Sequence, residues 1–532
     1  MKKIWSLPAG LKLTDYRKTM STGQSTQAII PQVGERLLIP LVQHSGDKPH
    51  LEVTVGQYVN KGQVLAKPQS RISAGVHAST SGTIIAIEPH LIAHSSGLPD
   101  LCVVLEADGL DNWGSTRLPA LDYQHTEIST LVQRVRDCGV VGLGGAVFPT
   151  DVKLNVRQPV PTLILNGAEC EPYITCDDRL MREQAEEIIA GAQIILHMVQ
   201  SNSCLIGIED NKPEAITVMQ QTLTATNDPR IEIVTIPTIY PSGGKKQITY
   251  ILTGKEVPSS GRSSDAGAMC VNVGTARAVY RAVNLGEPLI NRYVTVSGEA
   301  IKQAGNFEVP FGLPMQRLID AAQGATIPNP LLTMGGSMMP LPLASTAIPV
   351  VKATNCILIR PQPTPERVMP CIRCGRCAEV CPVSLLPQQM YWHARAKEFD
   401  QVEKYHVFDC IECGCCSYVC PSHIPLVDYY RFAKDEINNQ RDMRQKAEIA
   451  RERHEFRQER LDRAQREKAE KLAKHKTALK DKEASGESTP EQDAKKAAIQ
   501  AALERAKAKK AQQAQTETST SDANSASTEG KA

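Results

Sequence analysis

Long apolar runs are missing from this 532-residue chain. The nearest candidates, Ile188 to Val199 and Ile348 to Ile359, are short and broken by polar residues, well below the ~20 apolar residues a helix needs to cross a bilayer. Any membrane association expected from the sequence is therefore peripheral, through a partner. The start, Met-Lys-Lys-Ile-Trp-Ser-Leu-Pro, lacks the long apolar region of a secretory signal. Charge of one sign is also missing. Lys plus Arg number 60 against 58 Asp plus Glu, a net +2, which builds no large field and gives no argument for nucleic acid. Aromatic residues make up 4% of the chain, leaving few platforms on which bases stack.

Cysteine, by contrast, is plentiful. Sixteen cysteines would suggest disulfides in a secreted chain, but without an export signal the expectation is a reducing cytoplasm. Two blocks carry the pattern C-x2-C-x2-C-x3-C-P: Cys371-Ile-Arg-Cys374-Gly-Arg-Cys377-Ala-Glu-Val-Cys381-Pro382, and Cys410-Ile-Glu-Cys413-Gly-Cys415-Cys416-Ser-Tyr-Val-Cys420-Pro421. This run ligates cubane [4Fe–4S] clusters in two-cluster ferredoxins. Three thiolates two residues apart let one loop wrap three corners of a cubane, and the fourth, followed by proline, reaches the neighbouring cluster. One cluster is therefore assigned to Cys371, Cys374, Cys377 and Cys420, and the other to Cys410, Cys413, Cys416 and Cys381. The bland alternative is a pair of zinc sites, but those usually take two C-x2-C pairs rather than four cysteines per block. Cys415 is a ninth cysteine in the region and breaks the pattern. It is either a bystander thiol or a replacement for Cys416. The seven scattered cysteines read as small buried residues.

A chain of this length holds several domains. Up to about residue 120, short alternating strands between Gly and Pro signals predict a small β module. "VTVGQYVNKGQVLA" followed by "VHASTSGTIIAIEP" resembles the lipoyl/biotinyl-type barrel-sandwich hybrid, without the modified lysine of those domains. Residues 121–287 predict an α/β domain with a parallel sheet: Pro161-Thr-Leu-Ile-Leu-Asn is a buried strand, Gln184 to Gln200 has helical spacing, and Ile231 to Ile236 is strand-like. Residues 288–360 carry hairpin signals followed by a helix. Residues 361–435 hold the cysteine blocks. From 436 to 532 the composition turns to Arg, Lys, Glu, Gln and Ala, then Ser and Thr, too little apolar area to offset the entropy of ordering. That tail is expected to be helical with mixed charge and disordered at its end, a spacer or a partner-docking helix.

The second chemical feature is the glycine loop Gly139-Val-Val-Gly142-Leu-Gly144-Gly145-Ala146-Val-Phe148-Pro149-Thr-Asp-Val-Lys153. Closely spaced glycines let backbone N–H groups approach a phosphate, and Lys153 adds a charge; a plain turn is the competing reading. The next block, Asn166-Gly167-Ala168-Glu169-Cys170-Glu171-Pro172, follows a predicted strand, where open α/β sheets bind ligands. Asn166, Glu169 and Glu171 are candidates to bond ribityl, ribose or ring-edge groups, against a solvated turn. Tyr240-Pro-Ser-Gly243-Gly244-Lys245-Lys246-Gln247 is a third segment over the same pocket. It is not a Walker A loop, and the glycine loop is not a dinucleotide fingerprint.

"GLGGAVFPTDVKL" and "LNGAECEPYITCDDRLM" resemble the flavin- and nicotinamide-binding motifs of the FMN subunit of respiratory complex I, approximately G-R-G-G-A-G-F-P and N-A-D-E-S-E-P. The order of modules is barrel-sandwich, Rossmann-like flavin domain, β-grasp-like SLBB segment, α-helical two-cluster ferredoxin-like domain and charged tail. That order resembles the RnfC/RsxC family, a component of Rnf/Rsx-type ion-translocating electron-transport complexes. The resemblance implies FMN, NADH, two [4Fe–4S] clusters, and peripheral attachment to the cytoplasmic face of the bacterial inner membrane. Its implied partners are the membrane subunits, including a ferredoxin-like iron–sulfur subunit, and its implied activity is NADH:ferredoxin-type electron transfer coupled to Na+ or H+ movement. In that reading Gly142, Gly144, Gly145 and Lys153 cradle the flavin phosphate, while Asn166, Glu169 and Glu171 face the nucleotide. Departures are Leu143 and Val147 in place of an arginine and a glycine, Lys245 and Lys246 where the FMN protein of complex I is acidic, and no Gly-Gly-His-Pro stretch near residues 5 to 12. The rival reading is an iron–sulfur relay scaffold without its own flavin.

Overall fold

A computed structural model describes residues 3–364, 366–484 and 490–521. The chain divides into two units, Met1–Ile437 and Asn438–Ala532.

Near the N-terminus, strands Arg36–Pro40, Pro99–Ala107, Gly82–Leu91 and Tyr58–Val59 form an antiparallel sheet in that order, accompanied by a smaller sheet of His50–Leu51, Val64–Lys67 and Val76–His77. Alternate residues point inward, so Leu37, Ile39, Leu65, Ile84, Val103 and Leu105 fill one apolar core.

The next module is a parallel sheet in the order Ile231–Ile236, Ser203–Glu209, Thr162–Gly167, Ala268–Asn272. Its middle strands are apolar on both faces, with Leu163, Ile164, Leu165 and Ile206 fully buried, because helices Ala185–Met198, Pro213–Thr226, Lys245–Thr253 and Val273–Tyr280 cover them. In chain order the strands run 3-2-1-4. The order therefore reverses between Thr162–Gly167 and Ala268–Asn272, and the crevice beyond the carboxyl ends at that reversal is where such sheets bind ligands. Asn166 and Asn272 are register partners there.

A mixed sheet follows, ordered Gln27–Ala28, Gly305–Pro310, Asn291–Ser297, Cys356–Arg360, Leu331–Met334, Leu341–Pro342, with helix Met315–Ala321 beside it. Its residues Val294, Val296 and Ile357 join Leu163, Val271 and Ala276 of the parallel-sheet module in one continuous core. The cysteine blocks lie in a small helical module packed on the first turns of helix Leu426–Ala484 through Val427, Tyr430, Ala433 and Ile437. In the second unit, the rest of that helix and helix Pro490–Ser521 are exposed at the described side chains. The helical, mixed-charge tail agrees with the sequence expectation, while the end of it, residues 522–532, lies outside the described residues.

Candidate functional site

The glycine loop crosses the reversal point of the parallel sheet. A Cβ on Gly144 would stand 3.3 Å from Cβ of Asn272, at the end of strand Ala268–Asn272. Gly145 has φ +108° with open space around it, a conformation that excludes ordinary side chains. Gly144, Gly145 and Ala146 are exposed, and no hydrogen bond among the described residues takes up their N–H groups. Around them the backbone is fixed: Gly142 N–H donates to Phe148 O at 2.9 Å, Leu143 N–H donates to Thr275 Oγ1 at 2.9 Å, and Ser45 Oγ donates to Ala146 O at 2.8 Å. Three free donors on an open lip suit a phosphate or a flavin edge. Lys153 donates its amine to Cys270 O on the edge strand, and burial lowers its pKa, with Lys245 adding repulsion.

The acidic block is half-buried, and its side chains are engaged within the protein. Asn166 donates Nδ2 to Gly243 O at 2.9 Å and accepts Ala168 N–H on Oδ1, tying the strand end to the 240–244 turn. Glu169 accepts the N–H groups of Asp177 and Asp178 at 2.7 and 3.2 Å, so it caps helix Cys176–Glu183. Burial raises its pKa and the Lys18 ammonium opposes that rise. Glu171 accepts Met338 and Met339 N–H at 2.6 and 3.1 Å, holding a loop of the mixed-sheet module. Lys18 donates to the carbonyls of Glu169, Glu171 and Ile174, and Lys212 to Ala168 O and Glu209. Glu169, Cys176 and Asp177 bring donor atoms within 4.8 Å of one another, but both Glu169 oxygens serve backbone N–H groups and Asp177 Oδ2 accepts Asn272 Nδ2. That cluster is a helix cap. Lys245 is exposed at the start of its helix, and Lys246 turns away from the glycine loop to Asp409 at 3.3 Å.

The eight block cysteines gather crosswise. One cavity is lined by Cys371, Cys374, Cys377 and Cys420, another by Cys381, Cys410, Cys413 and Cys416. The two blocks are built alike, 39 residues apart. Arg373 and Glu412 both have φ 57°, and Gly375 and Gly414, at φ 81° and 79°, each start a one-turn helix. The left-handed pair turns the loop tightly enough for three thiols to face one centre. Helix Pro387–Arg395 stands between the cavities: Gln388 and Tyr391 line one, Pro387 and Met390 the other. Lys434 donates to Cys410 O at 2.7 Å and, with Arg431, grips Glu412 at 2.6 and 2.9 Å. Four block thiols around each mainly apolar cavity suit a cubane. By the 39-residue repeat Cys416 corresponds to Cys377 and Cys415 to Arg376. Cys415 lines the second cavity and also packs with Cys170 and Tyr240.

That contact joins the cysteine module to the parallel-sheet module. Tyr240 is buried and donates its hydroxyl to Cys413 O at 2.7 Å, while Gly414 lies against Met338 O. The second quartet is thus the inner one. Cys374 of the first quartet is exposed. Sequence reasoning picked out the segment that begins at Tyr240 but not its bond to Cys413, and it missed Lys18, Lys212, Thr275 and Asn272. Only Asn272 carried a local signal, as the last residue of a strand followed by a helix.

Family models match four segments: "RnfC Barrel sandwich hybrid domain" over residues 5–110, "Nuo51 FMN-binding domain" over 135–281, "SLBB domain" over 293–342 and "4Fe-4S dicluster domain" over 370–424. The chain is 46% identical over 517 residues to the C component of the ion-translocating oxidoreductase complex of Salmonella enteritidis PT4, covering 96% of this chain and 71% of that one. The protein of the same description from Salmonella gallinarum matches at 46% identity over 96% of this chain and 74% of its own length. Among solved structures, a chain of the NAD+-reducing [NiFe]-hydrogenase in the H2-reduced state overlays at TM-score 0.42 and 19% identity, over 56% of this chain and 61% of that one.

Proposed function

Because the chain belongs to the RnfC family of ion-translocating oxidoreductase complexes, and is an electron-transport subunit with an FMN-binding-type domain and a 4Fe-4S dicluster domain, we propose that it passes electrons between NADH and the membrane subunits of its complex. In this reading the FMN lies on the lip of Gly144 and Gly145, with Gly142 at its base, its N–H engaged by Phe148 O, and with Lys153 beside the phosphate. One [4Fe–4S] cluster is held by Cys410, Cys413, Cys416 and Cys381, and the other by Cys371, Cys374, Cys377 and Cys420. When bound, the flavin exchanges a hydride with a nicotinamide and single electrons with the clusters.

The observation that carries the reading is the nesting of sites: open glycine donors at the sheet reversal, a thiol quartet with three of its four cysteines buried against the same domain through Tyr240, and a second quartet whose Cys374 reaches the surface. The chain's own residues do three things. Glycine-loop donors orient an anionic group without a side chain intervening. Asn166, Glu169 and Glu171 hold the 240–244 turn, the helix Cys176–Glu183 and the Met338 loop, so they shape the pocket wall by their hydrogen bonds. Apolar walls of Met390, Val427 and Tyr430 cover the inner thiols and would tune the potential of a cluster held there. No described helix is long and apolar enough to cross a membrane, which agrees with peripheral attachment, proposed on the cytoplasmic face of the inner membrane. Partners there are the membrane subunits, a ferredoxin-like iron–sulfur subunit among them.

An anaerobic NADH titration of the chain, followed by absorbance and EPR, tests the proposal. Flavin bleaching with reduced-cluster signals is the expected result. Clusters that reduce with dithionite and ignore NADH would overturn it in favour of a relay scaffold, a reading that the internal engagement of Lys153 and Asn166 would then explain.

A further inference from the structure

Leu143 stands where the related motif carries an arginine, and its side chain turns into the core. The cation near this loop comes from elsewhere in the chain. Arg292, on strand Asn291–Ser297 of the mixed-sheet module, is 4% exposed. Its guanidinium donates to three carbonyls, Nη2 to Leu143 O at 3.2 Å, Nη1 to Lys352 O and Nε to Tyr293 O at 3.3 Å, and also bonds the Cys176 thiol. Cys176 and Asp177 act on it electrostatically, and no ion pair among the described residues includes Arg292. Lys352 in turn donates to Gly139 O at 2.7 Å and Gly75 O at 2.9 Å, so the base of the same loop is held by the same module.

The direction of a peptide unit follows from one of its ends. In a trans peptide the C=O of one residue and the N–H of the next point opposite ways. With Leu143 O drawn down onto buried Arg292, the N–H of Gly144 must face away from Arg292, toward the exposed lip. The preceding peptide is set independently, by Leu143 N–H on Thr275 Oγ1. Residue 143 is therefore clamped at both ends, and the Gly144 donor that follows it is aimed before any ligand arrives.

We infer that Arg292 is a positioning residue for the glycine loop, turning the Gly144 N–H outward as a preformed anion donor, with Thr275 as its second anchor. This deepens the proposed function, since the anion in question is the FMN phosphate or flavin edge. Preorganised donors bind more tightly because the ordering cost is already met in the free protein.

The test uses the full-length chain carrying its clusters, stripped of flavin. Arg292→Met, Arg292→Lys and Thr275→Val are titrated with FMN by fluorescence quenching, and hydrogen exchange is followed in the peptide spanning residues 139–149. Loss of one charge-assisted hydrogen bond predicts FMN affinity about ten- to a hundredfold weaker for Arg292→Met, with faster exchange of the Leu143 amide and unchanged iron content. An ammonium reaches one carbonyl where the guanidinium serves three, so Arg292→Lys recovers only part of the loss. Full recovery by lysine would leave charge as the whole effect and overturn positioning. So would FMN affinity within about twofold of wild type in Arg292→Met with unchanged loop exchange. If Arg292→Met loses iron and therefore its fold, Thr275→Val decides by the same two readouts. If the wild-type chain binds no FMN, the flavin reading fails while the exchange measurement still decides the positioning.

Discussion

Crossed ligation can be tested at Cys381. Its thiol is buried, accepts Leu385 N–H at 3.3 Å, and lines the cavity of Cys410, Cys413 and Cys416 rather than that of its own block. Two cubanes amount to about eight irons per chain. Cys381→Ala removes one ligand of the inner quartet, so about four irons should remain, all in the outer one. The packing cost of replacing a small buried thiol by a methyl is only about 1 kcal/mol, so the helical module should stay folded around the surviving cluster. Iron assay and EPR of the dithionite-reduced protein provide the readout, with Cys413→Ala and Cys374→Ala as references. The spectrum of Cys381→Ala should match that of Cys413→Ala, far off in sequence, and complement that of Cys374→Ala, its near neighbour. A match to Cys374→Ala instead would refute crossed ligation and the nesting built on it.

Tyr240→Phe removes a hydroxyl donor from the carbonyl of Cys413, and should lower the inner cluster's potential by some tens of millivolts, the equivalent of about 1 kcal/mol, read by EPR-monitored redox titration; an unchanged potential would show the contact to be only packing. In air, the quartet containing exposed Cys374 should lose iron before the inner one, and simultaneous loss would contradict their difference in shielding. Burial pushes Lys352 down to about 7. Between that value and the ~10.5 of an unfolded lysine the folded state binds fewer protons, so stability should rise with pH across this window by up to ~1.4 kcal/mol per unit. Lys352→Met should flatten that rise in pH-dependent urea melts, while buried His44 and His77, at about 4 and 3, titrate below it. Truncation after residue 440 should leave iron content intact. Truncation after residue 428, which removes buried Tyr430, Ala433 and Ile437 and the Lys434 bond to Cys410, should lower it sharply.

Local order was legible where one short segment carries the whole signal. The cysteine spacing specifies a cubane loop because three ligands of each site lie within seven residues, and apolar runs such as Leu163-Ile-Leu specify buried strands because both faces need cover. The glycine loop, the strand end at Asn166 and the mixed-charge helix were readable for the same reason. Partners distant in sequence were not. Lys18 under Glu169 and Glu171, Tyr240 on Cys413, Glu171 on Met338 and Arg292 on Leu143 each pair residues 149 to 173 positions apart, and a buried lysine or arginine leaves no periodic trace in the chain. Spacing alone therefore marked the cysteines as an iron–sulfur pattern and the glycines as a candidate anion loop. Only the tertiary structure decided which way the acidic block points, which quartet is inner, and what holds the glycine donors outward, because burial and hydrogen-bond direction exist only once separate modules have packed.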